Sequence, residues 1–356
     1  MKKNLLPISF LIIVCLTLFP ACSPQAVSFA RTSFPVRKQF FALDTLVTIT
    51  LYRAEPACDT DAALSTAEDL CRQYENLFSK TIEGSDVWRI NHSEGSPVKV
   101  SEETLYLIKK SCEYSRLTDG SFDITIAPVI DLWNSSESLP EESALSAALS
   151  CVSYKNIGID AEEGTVTLKG GNADSLFPSI DLGAVAKGYI ADQLKEFLKA
   201  SGVTSALLDL GGNVLVLGEK AKNSPFHIAV KMPFTDTESF YTGQTLKKES
   251  IAATLDIMDL SVVTSGIYER YKEIDGRLYH HILDPQTGYP AENSLASVTI
   301  ISERSLDGDL LSTSCLLSGE DKAKALVESL DSIEAVFIDK NGSVSFSSGI
   351  QKYLSR

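Results

Sequence analysis

Apolar residues recur at helical spacing from 60 to 78, where Ala63, Ala67, Leu70, Tyr74 and Leu77 share one face behind Asp59 or Thr60 as N-cap. The same spacing predicts helices over 102–116 behind Ser101, 141–148 behind Pro140, 184–198, 309–317 and 321–330. Short apolar or alternating runs predict strands at 46–52, 205–210, 214–217 and 297–301, the second and third broken by Gly211-Gly212. Alternation over 154–168 about Glu163-Gly164 reads as a hairpin, and 334–338 pairs with 343–346 across Lys340-Asn341-Gly342. No repeat of fixed period and no low-complexity tract appears. Helices and strands alternate irregularly, so the expected fold is α+β (mixed α/β) rather than a doubly wound parallel sheet.

The N-terminus breaks this pattern. Lys2 and Lys3 precede the apolar run 5–21, which is short for a spanning helix and reads as a secretory signal. Ala21-Cys22-Ser23-Pro24 follows, and a small residue before Cys at the end of such a run resembles a bacterial lipoprotein processing site. Processing there, with cleavage before Cys22, would leave a lipidated N-terminus at that residue and 22–38, which lacks periodicity, as a tether to a domain over 39–356. Phe19 and Pro20 are atypical of such a site, so an uncleaved anchor or ordinary signal-peptidase cleavage stays open. Each alternative puts the domain on the extracytoplasmic side of the cell membrane.

Composition narrows the function classes. Of 356 residues 44% are hydrophobic and 22% charged, ordinary for a globular protein. The 32 Lys plus Arg against 47 Asp plus Glu give −15, with no basic cluster, which argues against nucleic acid. Loss of residues 1–21 removes two lysines and no acid and leaves −17, so anionic lipid is not what would hold the chain. Seven cysteines stand at 15, 22, 58, 71, 112, 151 and 315; the five beyond Cys22 are odd in number, scattered and without a Cys-x-x-Cys, so neither a disulfide framework nor zinc is indicated.

Candidate chemistry concentrates in a few segments. Residues 264–271 (TSGIYERY) precede 280–290 (HHILDPQTGYP), which carries two of the four histidines among turn formers. A histidine there could take a proton from a hydroxyl, although an adjacent pair taken alone is more often structural than catalytic. Asp309 and Thr313 are four apart, so a helix offers their carboxylate and hydroxyl to one hard cation; Asp309 as a simple N-cap is the bland alternative. Residues 181–189 (DLGAVAKGY) put a carboxylate, small residues and Lys187 where a strand feeds a helix, without Walker or GxGxxG spacing. Gly211-Gly212 is explained equally well as a bulge or turn. In 118–125, Asp119-Gly120 reads as a turn, whereas Phe122 and Asp123 could stack on and hydrogen-bond a ring system, or simply be structural.

These blocks in this order resemble the ApbE family, magnesium-dependent FAD:protein FMN transferases, from Phe41 to about Ile338. The resemblance implies a single T-fold-related domain that takes FAD, transfers FMN to a threonine hydroxyl of an acceptor protein and releases AMP; some relatives hydrolyse FAD instead. It implies His281 as the base, with His280 the more variable neighbour. Mg2+ would be held by Asp309, Thr313 and the main-chain carbonyl of Ala184, with Ser312 beside it. FAD would be held by Asp181, Lys187, Ser121, Phe122, Asp123, Leu43 and Leu283, and Thr81 would face it. Acceptors would be FMN-binding domains or subunits of ion-linked electron-transport complexes outside the cytoplasmic membrane, met without charge steering given the −17. The chain departs from the family pattern at Leu43-Asp44-Thr45, where many members have Met-Gly-Thr, and at Thr81, where many transferases have Tyr. The second change replaces a ring with a small hydroxyl and bears on the balance between transfer and hydrolysis. A magnesium-dependent FAD pyrophosphatase and a non-catalytic FAD-binding lipoprotein are the rival readings.

Overall fold

A computed structural model describes residues 33–135, 137–171, 176–233 and 251–355. The chain opens with β1 (Val36–Ala42), β2 (Thr45–Ala54), α1 (Thr60–Phe78), α2 (Asp86–Asn91), β3 (Val98–Lys99) and α3 (Glu102–Leu117). It continues through α4 (Ala127–Asn134), α5 (Glu142–Leu149), β4 (Ile157–Asp160), β5 (Thr165–Leu168), α6 (Ala186–Ala200), β6 (Val203–Leu210) and β7 (Asn213–Leu217). Then come β8 (Phe226–Lys231), β9 (Ile251–Ile257), β10 (Ser261–Gly266), β11 (Tyr271–Ile274), β12 (Arg277–His280) and β13 (Leu295–Ser302). The last elements are α7 (Ser305–Ser318), α8 (Glu320–Glu328), β14 (Glu334–Asp339) and β15 (Val344–Phe346).

Eight strands form one antiparallel sheet in the order β1-β2-β6-β7-β10-β13-β14-β15. Its two faces are covered differently. Leu215 and Leu217 of β7 turn to a core built with α1, α3 and α6, while Val216 between them turns to the opposite face. There Phe226, Val230, Leu255 and Ile257 of the β8–β9 hairpin cover the sheet, helped by Ile350. β13, buried at all eight positions, packs beneath α7 and α8 through Val298 and Ile300. The fold is thus α+β, and residues Phe34–Arg356 form one compact unit.

Local signals account for much of this. Asp59 caps α1 by accepting from the Ala62 N–H at 3.0 Å, and Ser101 caps α3 through the Thr104 N–H. The expected hairpin is β4–β5, joined by β3, with its first residues in a 3-10 turn. Two other boundaries move by more than two residues. β1 begins at Val36, inside the stretch expected as tether, because its backbone pairs from Val36↔Leu51 onward with β2. The last long helix begins at Ser305 rather than Asp309, because a side chain from α6 caps it: Asp192 accepts from the Ser305 N–H at 2.7 Å and the Leu306 N–H at 3.1 Å. Burial raises the Asp192 pKa to about 6 against those two bonds. All five cysteines among the described residues are free, four of them buried, and burial pushes Cys71 and Cys315 up to about 12.

α6 and α7 meet at bare backbone. A Cβ built on Gly188 would overlap the Ser305 carbonyl, and one on Gly308 would overlap Val263 of β10. Gly188→Ala is therefore expected to destabilise the protein by about 2 kcal/mol through overpacking against main chain that cannot turn aside. The check is a lower urea midpoint at an unchanged slope; an unaltered midpoint would show that the helices separate freely.

Candidate active site

The two histidines have opposite fates. The β11–β12 turn runs through Asp275 and Gly276, both at positive φ, and β12 ends on His280. His280 is buried, its Nε2 lying 3.2 Å from the Ala291 carbonyl while its Nδ1 accepts from the Ile282 N–H at 3.3 Å, so both ring nitrogens are engaged. His281 is exposed at its open face. Its main-chain N–H and its Nδ1 both point to the Arg270 carbonyl, at 3.1 and 3.0 Å. A carbonyl only accepts, so Nδ1 carries the proton and Nε2 presents a free lone pair. Crowding on the other sides of the ring, then the charges of Arg270 and Lys187, push its pKa down to about 4.

The loop that follows is held by its own bonds. Asp284 receives the Gln286 N–H on Oδ1, its carbonyl takes the Gly288 N–H, and Trp133 Nε1 donates to the Gly288 carbonyl at 2.7 Å. Leu283, expected against FAD, has its side chain buried with Val129, Trp133, Leu145 and Ile274. It shapes the loop from beneath.

On α7, Asp309 lies in the second turn, which excludes the N-cap alternative. Its carboxylate is buried, accepting from the Gly188 N–H at 2.5 Å and from Asn213 Nδ2 at 3.0 Å. Burial raises its pKa; the nearby Lys187 charge and these two bonds oppose the rise. One turn on, Ser312 and Thr313 place their hydroxyls 2.8 and 3.0 Å from Ser265 Oγ of β10. The Gly188 N–H, which a regular helix would direct to the Ala184 carbonyl, is instead turned to Asp309. Carboxylate, hydroxyls and a main-chain carbonyl are hard oxygen donors and suit a magnesium-like cation. Among the described residues no group of three or more His, Cys, Asp or Glu forms a metal cluster, and this set, with one carboxylate, does not need one.

Lys187 ties the two halves together: its charge acts on both His281 and Asp309, and its Nζ donates to the Gly183 carbonyl at 3.3 Å. Asp181, at the start of that turn, receives the Gly183 N–H on Oδ1 at 2.7 Å and Lys80 Nζ on Oδ2 at 3.1 Å. Asn91 fixes the preceding residue by donating to the Ile180 carbonyl and accepting from its N–H.

The remaining expected FAD contacts are placed differently. Phe122 is buried in the main core, so its ring is not a stacking surface. Asp123 is buried, accepting on Oδ1 from the Thr125 N–H and hydroxyl and on Oδ2 from the Tyr154 N–H. It fastens the segment on which Ser121 stands, beside a cleft that Tyr154, Pro285 and Gln286 also line. Leu43 and Asp44 form the β1–β2 turn with φ of 56° and 55°, and Glu75 accepts the Leu43 N–H at 2.8 Å. Thr81 is exposed, with its hydroxyl 3.0 Å from that of Ser79. Cys22 lies outside the described residues. Ser265, Lys80 and Asn91 were not anticipated. Ser265 sits in the conspicuous TSG triplet, whereas the other two become visible only through the contacts the fold makes.

An eight-stranded antiparallel sheet, a histidine loop that follows the β11–β12 ribbon, and an α6–α7 junction whose Lys187 acts on both that histidine and Asp309 define the class. The chain belongs to the ApbE family, whose model matches residues 43–337. It is 37% identical over 292 residues to the FAD:protein FMN transferase of Klebsiella pneumoniae strain 342, covering 81% of this chain and 85% of that protein. Over 320 residues it is 32% identical to the FAD:protein FMN transferase of Treponema pallidum strain Nichols, covering 86% and 85%. The ApbE protein of Thermotoga maritima matches in structure with a TM-score of 0.80 at 30% identity, over 91% of this chain and 100% of that one. Flavin transferase ApbE from Vibrio cholerae shares the fold, with a TM-score of 0.78 at 24% identity over 90% and 99%.

The histidine geometry has a pH signature. The folded chain protonates His280 and His281 only near pH 4, whereas the unfolded chain does so near the ordinary 6.5. The unfolded state therefore binds more protons between those limits, and the stability these residues contribute, complete above pH 6.5, is lost as pH falls toward 4. In an NMR titration both imidazoles should keep neutral-form shifts from about pH 8 to 6. A His281 midpoint near 6.5 would overturn the assignment.

Proposed function

We propose that the chain transfers FMN from FAD to a threonine hydroxyl of an acceptor flavoprotein, releasing AMP. The observation that carries this reading is His281: a neutral imidazole whose Nδ1–H is locked on the Arg270 carbonyl and whose Nε2 is open, linked through the charge of Lys187 to the buried carboxylate of Asp309. The proton of the acceptor hydroxyl passes to Nε2 while its oxygen bonds to the FMN-side phosphorus. The bond from that phosphorus to the bridging oxygen breaks, and AMP leaves with the electron pair. A base at about 4 is weak, but it is wholly unprotonated at neutral pH, and an anionic pyrophosphate beside it raises its proton affinity as substrate binds.

Asp309, Thr313, Ser312 and the Ala184 carbonyl would hold magnesium, which when bound neutralises charge developing on the leaving phosphate. Lys187 adds a fixed positive charge on the same side, and Ser265 orients the Ser312 and Thr313 hydroxyls. Removal of residues 1–21 and lipidation of Cys22 would tether the domain outside the membrane, where acceptors such as FMN-binding domains or electron-transport subunits reside. A second reading, hydrolysis of FAD to FMN and AMP, draws on Thr81, a small side chain engaged with Ser79 where many transferases of the family have a ring.

AMP release from FAD and Mg2+ should depend on an added threonine-bearing FMN-binding domain, and mass spectrometry should show FMN on that domain. Equal AMP with and without acceptor, and an unmodified acceptor, would establish the pyrophosphatase instead. His281→Ala should retain FAD binding and lose roughly a hundred- to ten-thousand-fold in transfer rate; near-normal transfer would move the base elsewhere. Thr313→Val should raise the magnesium requirement with FAD binding preserved, and an unchanged requirement would remove Thr313 from the cation site. It is a cleaner probe than Asp309→Ala, which would also strip Gly188 and Asn213 of their acceptor.

A further inference from the structure

Lys80 stands in the turn between α1 and α2, on the segment that departs from the family pattern at Thr81. Thr81 is exposed and bonds within its own turn: its main-chain N–H donates to Ser79 Oγ and its hydroxyl lies 3.0 Å from the same atom. The group this segment sends toward the candidate site is Lys80. Its side chain is only 18% exposed, and its ammonium lies 2.6 Å from Asp131 Oδ1 of α4 and 3.1 Å from Asp181 Oδ2. Burial would depress its pKa, but Asp181 and Asp131 outweigh burial and raise it, so the group is charged. From Asp181 a continuous set of bonds leads inward: Oδ1 takes the Gly183 N–H, and the Gly183 carbonyl takes Lys187 Nζ.

We infer that Lys80 is a positioning residue for the FAD site: by bridging Asp131 and Asp181 it fixes the 181–183 turn on which Lys187 rests, and it offsets two carboxylates that would repel an anionic dinucleotide. The inference rests on the proposed function and concerns substrate binding rather than chemistry. Asp181 without a cation would bring bare negative charge toward a pyrophosphate in a chain that already carries −15. Asp131, 59% exposed, is the outer and expendable partner, whereas Asp181, 21% exposed, is the one that Lys80 must neutralise.

The test is FAD binding by the full-length protein in Mg2+ buffer, followed by quenching of flavin fluorescence, with AMP release giving KM and kcat separately. Lys80→Met should weaken FAD binding about tenfold at low salt and raise KM in step, with kcat within about twofold of the parent. The defect should shrink at about 0.5 M salt, where the uncompensated carboxylates are screened. Lys80→Arg should recover most of the affinity, and Asp131→Asn should stay within about twofold of the parent. A Lys80→Met protein that binds FAD as the parent does would overturn the inference and leave the functional reading intact. A loss that is equal at all salt concentrations, unrescued by Arg and accompanied by a lower urea midpoint would overturn it in favour of simple packing. A parent protein that binds no FAD would overturn the functional reading, and this inference with it.

Discussion

The contact between α6 and α7 is the constraint from which the site follows. Gly188 and Asp192, one helical turn apart on α6, face Ser305 and Asp309, one turn apart on α7. Each helix gives the other a carboxylate: Asp192 accepts the first N–H groups of α7, and Asp309 accepts the Gly188 N–H of α6. With no Cβ at Gly188 the axes come close enough for both bonds at once. The consequence reaches beyond stability. Diverting the Gly188 N–H to Asp309 releases the Ala184 carbonyl from that helical bond, so one displacement at a helix start sets out two of the oxygen donors. Helix packing thereby sets out the buried carboxylate of the proposed cation site, and its hydroxyls come from the next turn of α7, where Ser265 of β10 bonds them.

Charge is managed locally rather than globally. The molecule is strongly acidic, yet its proposed substrate is an anion, so the cations that matter are those the fold holds in place. Lys187 sits where its field reaches both His281 and Asp309, with opposite results. It helps keep the imidazole neutral and resists the protonation of Asp309 that burial favours. The imidazole and the carboxylate are thus both biased toward their unprotonated forms by one ammonium group. Lys80 stands one shell further out, where it compensates Asp181 instead of acting on the reacting atoms.

Periodic segments were legible because their signals are local. α1 has the predicted bounds, with Asp59 capping it, and the β4–β5 hairpin forms about Glu163-Gly164. The start of α7 was not legible for the opposite reason. No residue beside Ser305 caps it; Asp192, more than a hundred positions away, does so once α6 has docked. β10 carries no clear strand signal because Ser261, Thr264 and Ser265 interrupt its apolar run, yet Ser261 and Thr264 face polar partners across the sheet in Ser302 and Thr299. Phe122 and Leu283 show the reverse relation. Both stand in motif segments, but their side chains pack into the core and hold those segments from below. A motif marks where a site lies, and burial decides which of its side chains face outward.

The histidine pair shows how little separates a structural residue from a reactive one. His280 is the last residue of β12 and His281 the first beyond it, so the alternation of the strand turns one ring into the core and the other out. Both rings are crowded by protein and both pKa values fall to about 4, which makes the shift itself no guide to function. Hydrogen bonding separates them. His280 has a partner on each nitrogen and no lone pair to offer, whereas the Arg270 carbonyl takes a single proton from the His281 ring and leaves Nε2 open. That carbonyl also receives the main-chain N–H of His281, so backbone and ring are fixed by one atom. The imidazole cannot rotate about χ1 without giving up the Nδ1 bond, and the orientation of the proposed base is therefore built by the strand end and the 267–270 segment before any substrate arrives.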